Sequence, residues 1–212
     1  GSGSSSSSSS SAAAAVPTAP ASTSGHVNIQ VGANQKFVFS PSNVTAPVGT
    51  LVTFFFPSAI AHSVTQSSFD APCTHLASNG SSPAGFDSGL QQGTQFTINI
   101  TDASVPIYFH CKAPTHCGLG MVGSINAPTT GDQTFQAFQA AAVKIGSSEK
   151  TESDTGFASG GVGAVATASA ADTATASASA SSSSGSTKKS GAVGLVASGL
   201  TAAAGAVLGA VL

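Results

Sequence analysis

Arginine and tryptophan are absent from this 212-residue chain, and charged residues of every kind make up only 7% of it, with a net charge of −2. A surface that neutralises phosphates needs clustered Lys and Arg, so a nucleic-acid interface is excluded. No run of like charge occurs either, which removes acidic tails and basic arms. Methionine and tyrosine occur once each, and cysteine three times. An odd cysteine count leaves one thiol over after any internal pairing.

What is abundant is Ser, Ala, Thr and Gly, concentrated at both ends. Such segments offer too little apolar area to offset the entropy of ordering their backbone, so they are not expected to bury a core. Residues 1–25 read as a disordered Ser/Ala stem, with neither an initiating Met nor a basic leader region. That start is expected of a chain whose signal peptide has been removed, or of one with an artificial beginning. Residues 147–190 read as a Ser/Thr/Ala-rich, O-glycosylated linker that holds no fold, with one small charged patch at 149–154. Residues 191–212 are uncharged and apolar to the last position, after Lys188, Lys189 and small residues at 183–186. A spanning helix normally carries something on its far side, so this pattern is expected to be a GPI-anchor signal with Ser184 as anchor residue, Ser183 and Gly185 being equally acceptable. An ordinary membrane helix and a weak Ala/Gly helix are the alternatives. Three Asn-x-Ser/Thr sequons begin at Asn43, Asn79 and Asn99. With the cysteine count they suggest a secreted, oxidised, glycosylated protein.

The middle, residues 26–127, has a different texture. β-Branched and aromatic runs are broken by Gly, Pro, Asn and Ser, which predicts strands at 27–31, 36–40, 51–56, 62–66, 95–101, 107–111 and 121–125. The run 95–100 alternates apolar and polar residues, as a half-buried strand does. By contrast, Val52-Thr53-Phe54-Phe55-Phe56 is apolar on both faces near its end and reads as a central strand. Seven or eight short strands without helices between them predict an all-β sandwich of about a hundred residues, enough for a core of its own. A helical extension, 128–146, follows. Its helix is predicted over 133–145 with Asp132 as N-cap and Gly146 past its end, and its stripe of Phe135, Phe138, Ala142 and Ile145 is expected to face the sandwich rather than a cofactor.

Chemistry is concentrated at 108–121, where two Cys, two His and the single Met fall within fourteen positions. Cys111, His116 five residues on and Met121 five after that offer a thiolate, an imidazole and a thioether on one tight loop. That donor set selects copper over hard cations. A trigonal site needs a second His, and His62, opening a predicted strand directly after a loop, is the candidate. His26, His75 and His110 are expected to be ordinary residues. His110 neighbours Cys111 on a strand, so its side chain points to the opposite face.

Cys111-x4-His116-x4-Met121 with an upstream His62 resembles the blue-copper cupredoxins, and Cys117 directly after His116 narrows the resemblance to phytocyanin-like members. The Ser-rich flanks, the phrase His62-Ser63-Val64-Thr65-Gln66 ahead of Pro72-Cys73, and the apolar tail resemble serine-rich, GPI-anchored extracellular cupredoxins of fungi. The resemblance covers about residues 26–127 by motif, and the flanks only by composition. It implies a Greek-key sandwich binding one copper ion through His62, Cys111, His116 and Met121. It also implies a Cys73–Cys117 disulfide that leaves Cys111 free; Cys73–Cys111 would be the competing bond and would destroy the site. In the family the metal cycles between Cu(I) and Cu(II), and His116 would lie near the surface as the electron exit. Ser63 and Thr115 are expected to tune the site through hydrogen bonds.

Three functions follow as expectations. The first is a monomeric cell-surface copper protein that transfers or buffers single electrons with an unknown redox partner, held at the plasma membrane by its anchor. The second, an enzyme, is not expected: multicopper oxidases need several His-x-His pairs and none occurs, while a histidine-brace oxygenase needs an N-terminal His, hence processing before His26. The third is a non-redox wall or adhesion module using the fold as scaffold, although such a module has no need of Cys, His and Met in register.

Overall fold

A computed structural model of the chain describes residues 18–168 and the strand 171–172. The predicted anchor segment and Ser184 lie outside the described residues. Two sheets face each other, as the alternating strands predicted. The 6-stranded sheet runs β10 (Ala171–Asp172), β6 (Thr94–Ile100), β4 (Leu51–Phe55), β1 (His26–Val31), β2 (Phe39–Ser40), with β9 (Ala164–Ala166) also on β6, and the 4-stranded sheet runs β3 (Asn43–Val44), β8 (Val122–Ile125), β7 (Ile107–His110), β5 (Thr65–Ser67). In the first sheet, β1 (His26–Val31) lies parallel to β4 (Leu51–Phe55), which pairs antiparallel with β6 (Thr94–Ile100); β2 (Phe39–Ser40) closes the far edge. In the second, β7 (Ile107–His110) sits between β5 (Thr65–Ser67) and β8 (Val122–Ile125), with β3 (Asn43–Val44) parallel to β8.

The period-2 pattern is what fills the space between them. Phe96, Ile98 and Ile100 of β6 and Val52 and Phe54 of β4 point inward, all at most 1% exposed, and meet Ile107 and Phe109 from β7. Each such side chain contributes about 1.5–3 kcal/mol by leaving water. Phe109 stands edge-on to Phe39 and Phe54, with ring centroids 5.0 and 5.3 Å apart, the arrangement aromatic quadrupoles favour.

A smaller cluster lies outside the second sheet. The helix α1 (Phe135–Ile145) buries Phe135, Phe138 and Ala142 there, with Phe138 4.7 Å from the ring of Tyr108. Its apolar stripe faces the sandwich as predicted, but its N-cap is Thr134, whose hydroxyl accepts the Ala137 N–H at 3.2 Å, and not Asp132. The predicted strand at 36–40 shrinks to Phe39–Ser40, because Asn34 and Gln35 take positive φ and turn the chain just before it.

Both ends of the sandwich extend past the predicted boundaries. Ahead of β1, the Ser22 hydroxyl accepts the Asn28 N–H and the Gln30 side chain accepts the Ala19 N–H. The expectation of a foldless linker from residue 147 is corrected: β9 (Ala164–Ala166) and β10 (Ala171–Asp172) pair with the outer edge of β6, Ala164 is fully buried, and the acids of 149–154 bond to the body. Low-complexity composition concealed this because an edge strand needs only backbone groups and small side chains to pair.

Candidate metal centre

Cys111 follows directly on β7 and Met121 directly precedes β8, so the loop between them spans neighbouring strands of one sheet. Its mouth is closed by backbone bonds: the Cys111 N–H to the Met121 carbonyl at 3.1 Å, and the Met121 N–H to the His116 carbonyl at 2.9 Å. Inside the loop the His116 N–H returns to the Ala113 carbonyl at 3.0 Å. These three bonds bring residues 111, 116 and 121 to one end of the sandwich. His62 arrives from the segment just ahead of β5, the neighbour of β7 in the same sheet, and is held by a two-bond bridge to Gln91.

The side chains converge. His62 Nδ1 and His116 Nδ1 are 3.2 Å apart, and the Cys111 sulfur lies 3.3 Å from His116 Nδ1 and 3.7 Å from His62 Nδ1. A triangle with those sides has its centre about 2 Å from each corner, the length of a metal–imidazole bond and close to that of a metal–thiolate bond. The donors therefore fit a single metal ion. Met121 is fully buried in the same core cluster as Cys111. A cysteine, two histidines and a methionine form the soft set that suits copper.

Protonation behaviour in the metal-free chain agrees. Burial, and then the neighbouring His116, lowers the His62 pKa to about 4, and burial lowers that of His116 as well, so both imidazoles are neutral with a lone pair to offer. Burial pushes the Cys111 thiol up to about 11, against hydrogen bonds that favour the thiolate. A metal must therefore displace that proton, which couples binding to pH.

Ser63 is the link between the two sides of the site. Its N–H donates to the Cys111 sulfur at 3.3 Å and its hydroxyl accepts the Lys112 N–H at 2.8 Å, so it orients the sulfur as expected. Thr115 does otherwise: it sits at φ 71 and donates its N–H to Glu149 rather than to a ligand. The disulfide joins Cys73 to Cys117, with Cα atoms 5.7 Å apart, and Cys111 is free and buried. The other histidines are engaged elsewhere, His26 with Thr53, His75 with the Gly85 carbonyl and His110 with Glu152. Of the sequons, Asn43 and Asn79 are exposed. Asn99 sits half-buried between β4 and β9 with its side-chain oxygen unpartnered among the described residues.

Sequence reasoning missed three features of this site. Phe37 stacks on His116 with centroids 4.1 Å apart. Lys112, next to the sulfur ligand, is buried against Asp87 at 2.7 Å and Asp154 at 2.8 Å. Burial works to lower its pKa, but the bonds to the two carboxylates outweigh it and hold the pKa above the ordinary value. The third is Glu149, which binds the ligand loop. The available signal was scarcity: in a chain with 8 acids, three fall within 149–154.

Residues 25–128 match the family described as copper binding proteins, plastocyanin/azurin family. The chain is 30% identical over 134 residues to the protein named "Probable GPI-anchored cupredoxin-1" of Arthroderma benhamiae, covering 63% of this chain and 68% of that one. It is also 30% identical over 119 residues to an "Extracellular serine-rich protein" of the same organism, covering 55% of this chain and 45% of that protein. Among solved structures, a dithionite-reduced auracyanin from Roseiflexus castenholzii aligns at TM-score 0.37 and 18% identity over 47% of this chain and 94% of its own, too distant to bear on the assignment. The extent and identity of the match to the first relative, on a sandwich that gathers two His and a free Cys at one end, establish that the chain belongs to the cupredoxin family.

Proposed function

We propose that the protein is an extracellular, monomeric type 1 copper protein that carries single electrons at the cell surface and is not itself an enzyme. The observation that supports this reading most directly is the triangle of His62 Nδ1, His116 Nδ1 and Cys111 Sγ, with sides of 3.2 to 3.7 Å. His62, Cys111 and His116 would hold the metal in that plane, with Met121 as the weak fourth donor. Bound there, copper supplies a one-electron couple.

The chain's own residues do the rest. The Ser63 N–H holds the sulfur in place, and the backbone bonds at the loop mouth fix its distance from both imidazoles, so little has to move when the charge changes. His116 is 7% exposed, against 2% for His62 and none for Cys111 or Met121. It is flanked by the exposed Pro114 and by Leu119, 60% exposed. His116 is thus the path by which an electron leaves. A GPI anchor and a place outside the cell fit the names of the two relatives; the anchor residue would be Ser184, and the sequons would carry glycans.

The test is the visible spectrum of the full chain after one equivalent of Cu(II). An intense blue thiolate-to-copper band is expected. A colourless protein whose Cys111 still titrates as a reduced thiol would end this reading and leave the fold as a scaffold.

A further inference from the structure

The segment after α1 carries three carboxylates that bond to the body around the ligand loop, two of them to the loop itself. Glu152 bonds His110 Nε2 at 2.7 Å and the His75 N–H, and Asp154 bonds Lys112. Of the three, Glu149 is the one that bonds the backbone of the loop between Cys111 and Met121: Oε1 accepts the Thr115 N–H at 2.5 Å and Oε2 accepts the Gly118 N–H. Among the described residues neither N–H has a backbone acceptor, so the carboxylate satisfies both. Thr115 is a non-glycine residue at φ 71, a left-handed conformation that persists only where the surroundings impose it.

The backbone at the root of the segment presses on the same turn. A Cβ on Gly118 would lie 2.0 Å from the Gly146 carbonyl oxygen, so the root of the segment and the loop touch backbone to backbone. Cys117, between the two contacts, is tied to Cys73, and a Glu149 oxygen lies within 4.8 Å of both disulfide sulfurs. The carboxylate thus sits on the turn that carries His116, and a negative charge there favours the more positive, oxidised state of a bound metal.

We propose that Glu149 is a positioning residue for the metal centre: it fixes the turn that presents His116 beside Cys111, and its charge holds the reduction potential down. This rests on the copper reading above.

The experiment uses the full chain as wild type, Glu149→Gln, Glu149→Asp and Lys150→Gln, the last removing an exposed neighbouring charge. Two quantities are read: the reduction potential of the copper-loaded protein, and the rate at which a thiol reagent labels buried Cys111 in the metal-free protein. Glu149→Gln is expected to shift the one-electron equilibrium about tenfold toward the reduced form, about 59 mV upward, and to speed labelling about tenfold. Glu149→Asp, which keeps the charge but is too short to span both N–H groups, should hold the potential near wild type while labelling speeds up; this arm stands even if the Gln variant does not fold. Unchanged potential and labelling in Glu149→Gln overturn the proposal. Faster labelling with an unmoved potential, or an equal potential shift in Lys150→Gln, overturns the role of the charge. If the wild type takes no copper, the copper reading fails instead, and the labelling arm still decides whether Glu149 holds the turn.

Discussion

The ligand loop has two sides, and they are held by different physics. Toward the core, Cys111, Ala113 and Met121 belong to the same apolar cluster as Phe56, Val64 and Phe109. Toward the solvent, the neighbouring Lys112, His110 and the turn at Thr115 and Gly118 are bound by Asp87, Glu149, Glu152 and Asp154. Packing is close to indifferent to pH and salt, whereas ion pairs weaken as carboxylates protonate or ions screen them. The inner side therefore sets where the donors stand. The outer side sets how firmly they are kept there.

The largest effect should come from the inner side. Cys111→Ser replaces the thiolate by a hydroxyl and is expected to abolish the blue band altogether, with the fold retained by circular dichroism; a variant that kept the colour would show that another group is the donor. Next comes the disulfide, which closes a sequence separation of 44 residues beside the loop. Replacing Cys73 and Cys117 together by Ala should cost about 4 kcal/mol in denaturant unfolding by the chain-entropy relation. A loss below about 1 kcal/mol would mean that packing around Tyr108 and Phe138 holds the turn without it. On the outer side, Asp87→Ala removes one of the two partners of a buried lysine and should cost about 3 kcal/mol; no loss would place Lys112 in solvent.

The smallest effect is that of acid. Burial acts to raise the Glu152 pKa, but the bonds from His110 and the His75 N–H outweigh it and leave it below the usual carboxylate value. Its folded pKa is depressed, so the stability it contributes is present above the unfolded value, about 4.3, and is lost as pH falls through it toward the folded value. Melting temperature should accordingly drop on going from about pH 5 to pH 3, and Glu152→Gln should flatten that drop. An unaltered slope in the variant would assign acid sensitivity to other carboxylates.

The inner side was legible in the sequence and the outer side was not. Cys111, His116 and Met121 announce themselves because a thiolate, an imidazole and a thioether are rare residues at regular spacing, and the strands show through the alternation of residues such as Phe96, Ile98 and Ile100. Glu149, Glu152 and Asp154 lie in a stretch whose Ser, Thr and Gly content has no period, and their partners are 31 to 77 residues away along the chain. No local pattern encodes such pairings. Likewise Ala164-Val165-Ala166 carries no strand signal of its own; β6 supplies the template. The helix start was misplaced by two residues because Asp132 and Thr134 are both good caps and only the backbone turn at Thr134 decides between them.

Gly32 has a consequence for descent. It stands at φ 63, and a Cβ there would lie 2.7 Å from His62 Nε2 and 3.2 Å from a Pro57 carbon. The backbone by itself would accept asparagine, which visits the left-handed region readily; the imidazole would not. Position 32 thus separates two kinds of descendant. A lineage that has given up the metal is free to exchange this glycine for asparagine once His62 is no longer required to stand where it does, while a lineage that keeps the metal must keep the glycine. One letter of sequence, far along the chain from every donor though packed against His62, then reports whether the donors still have work.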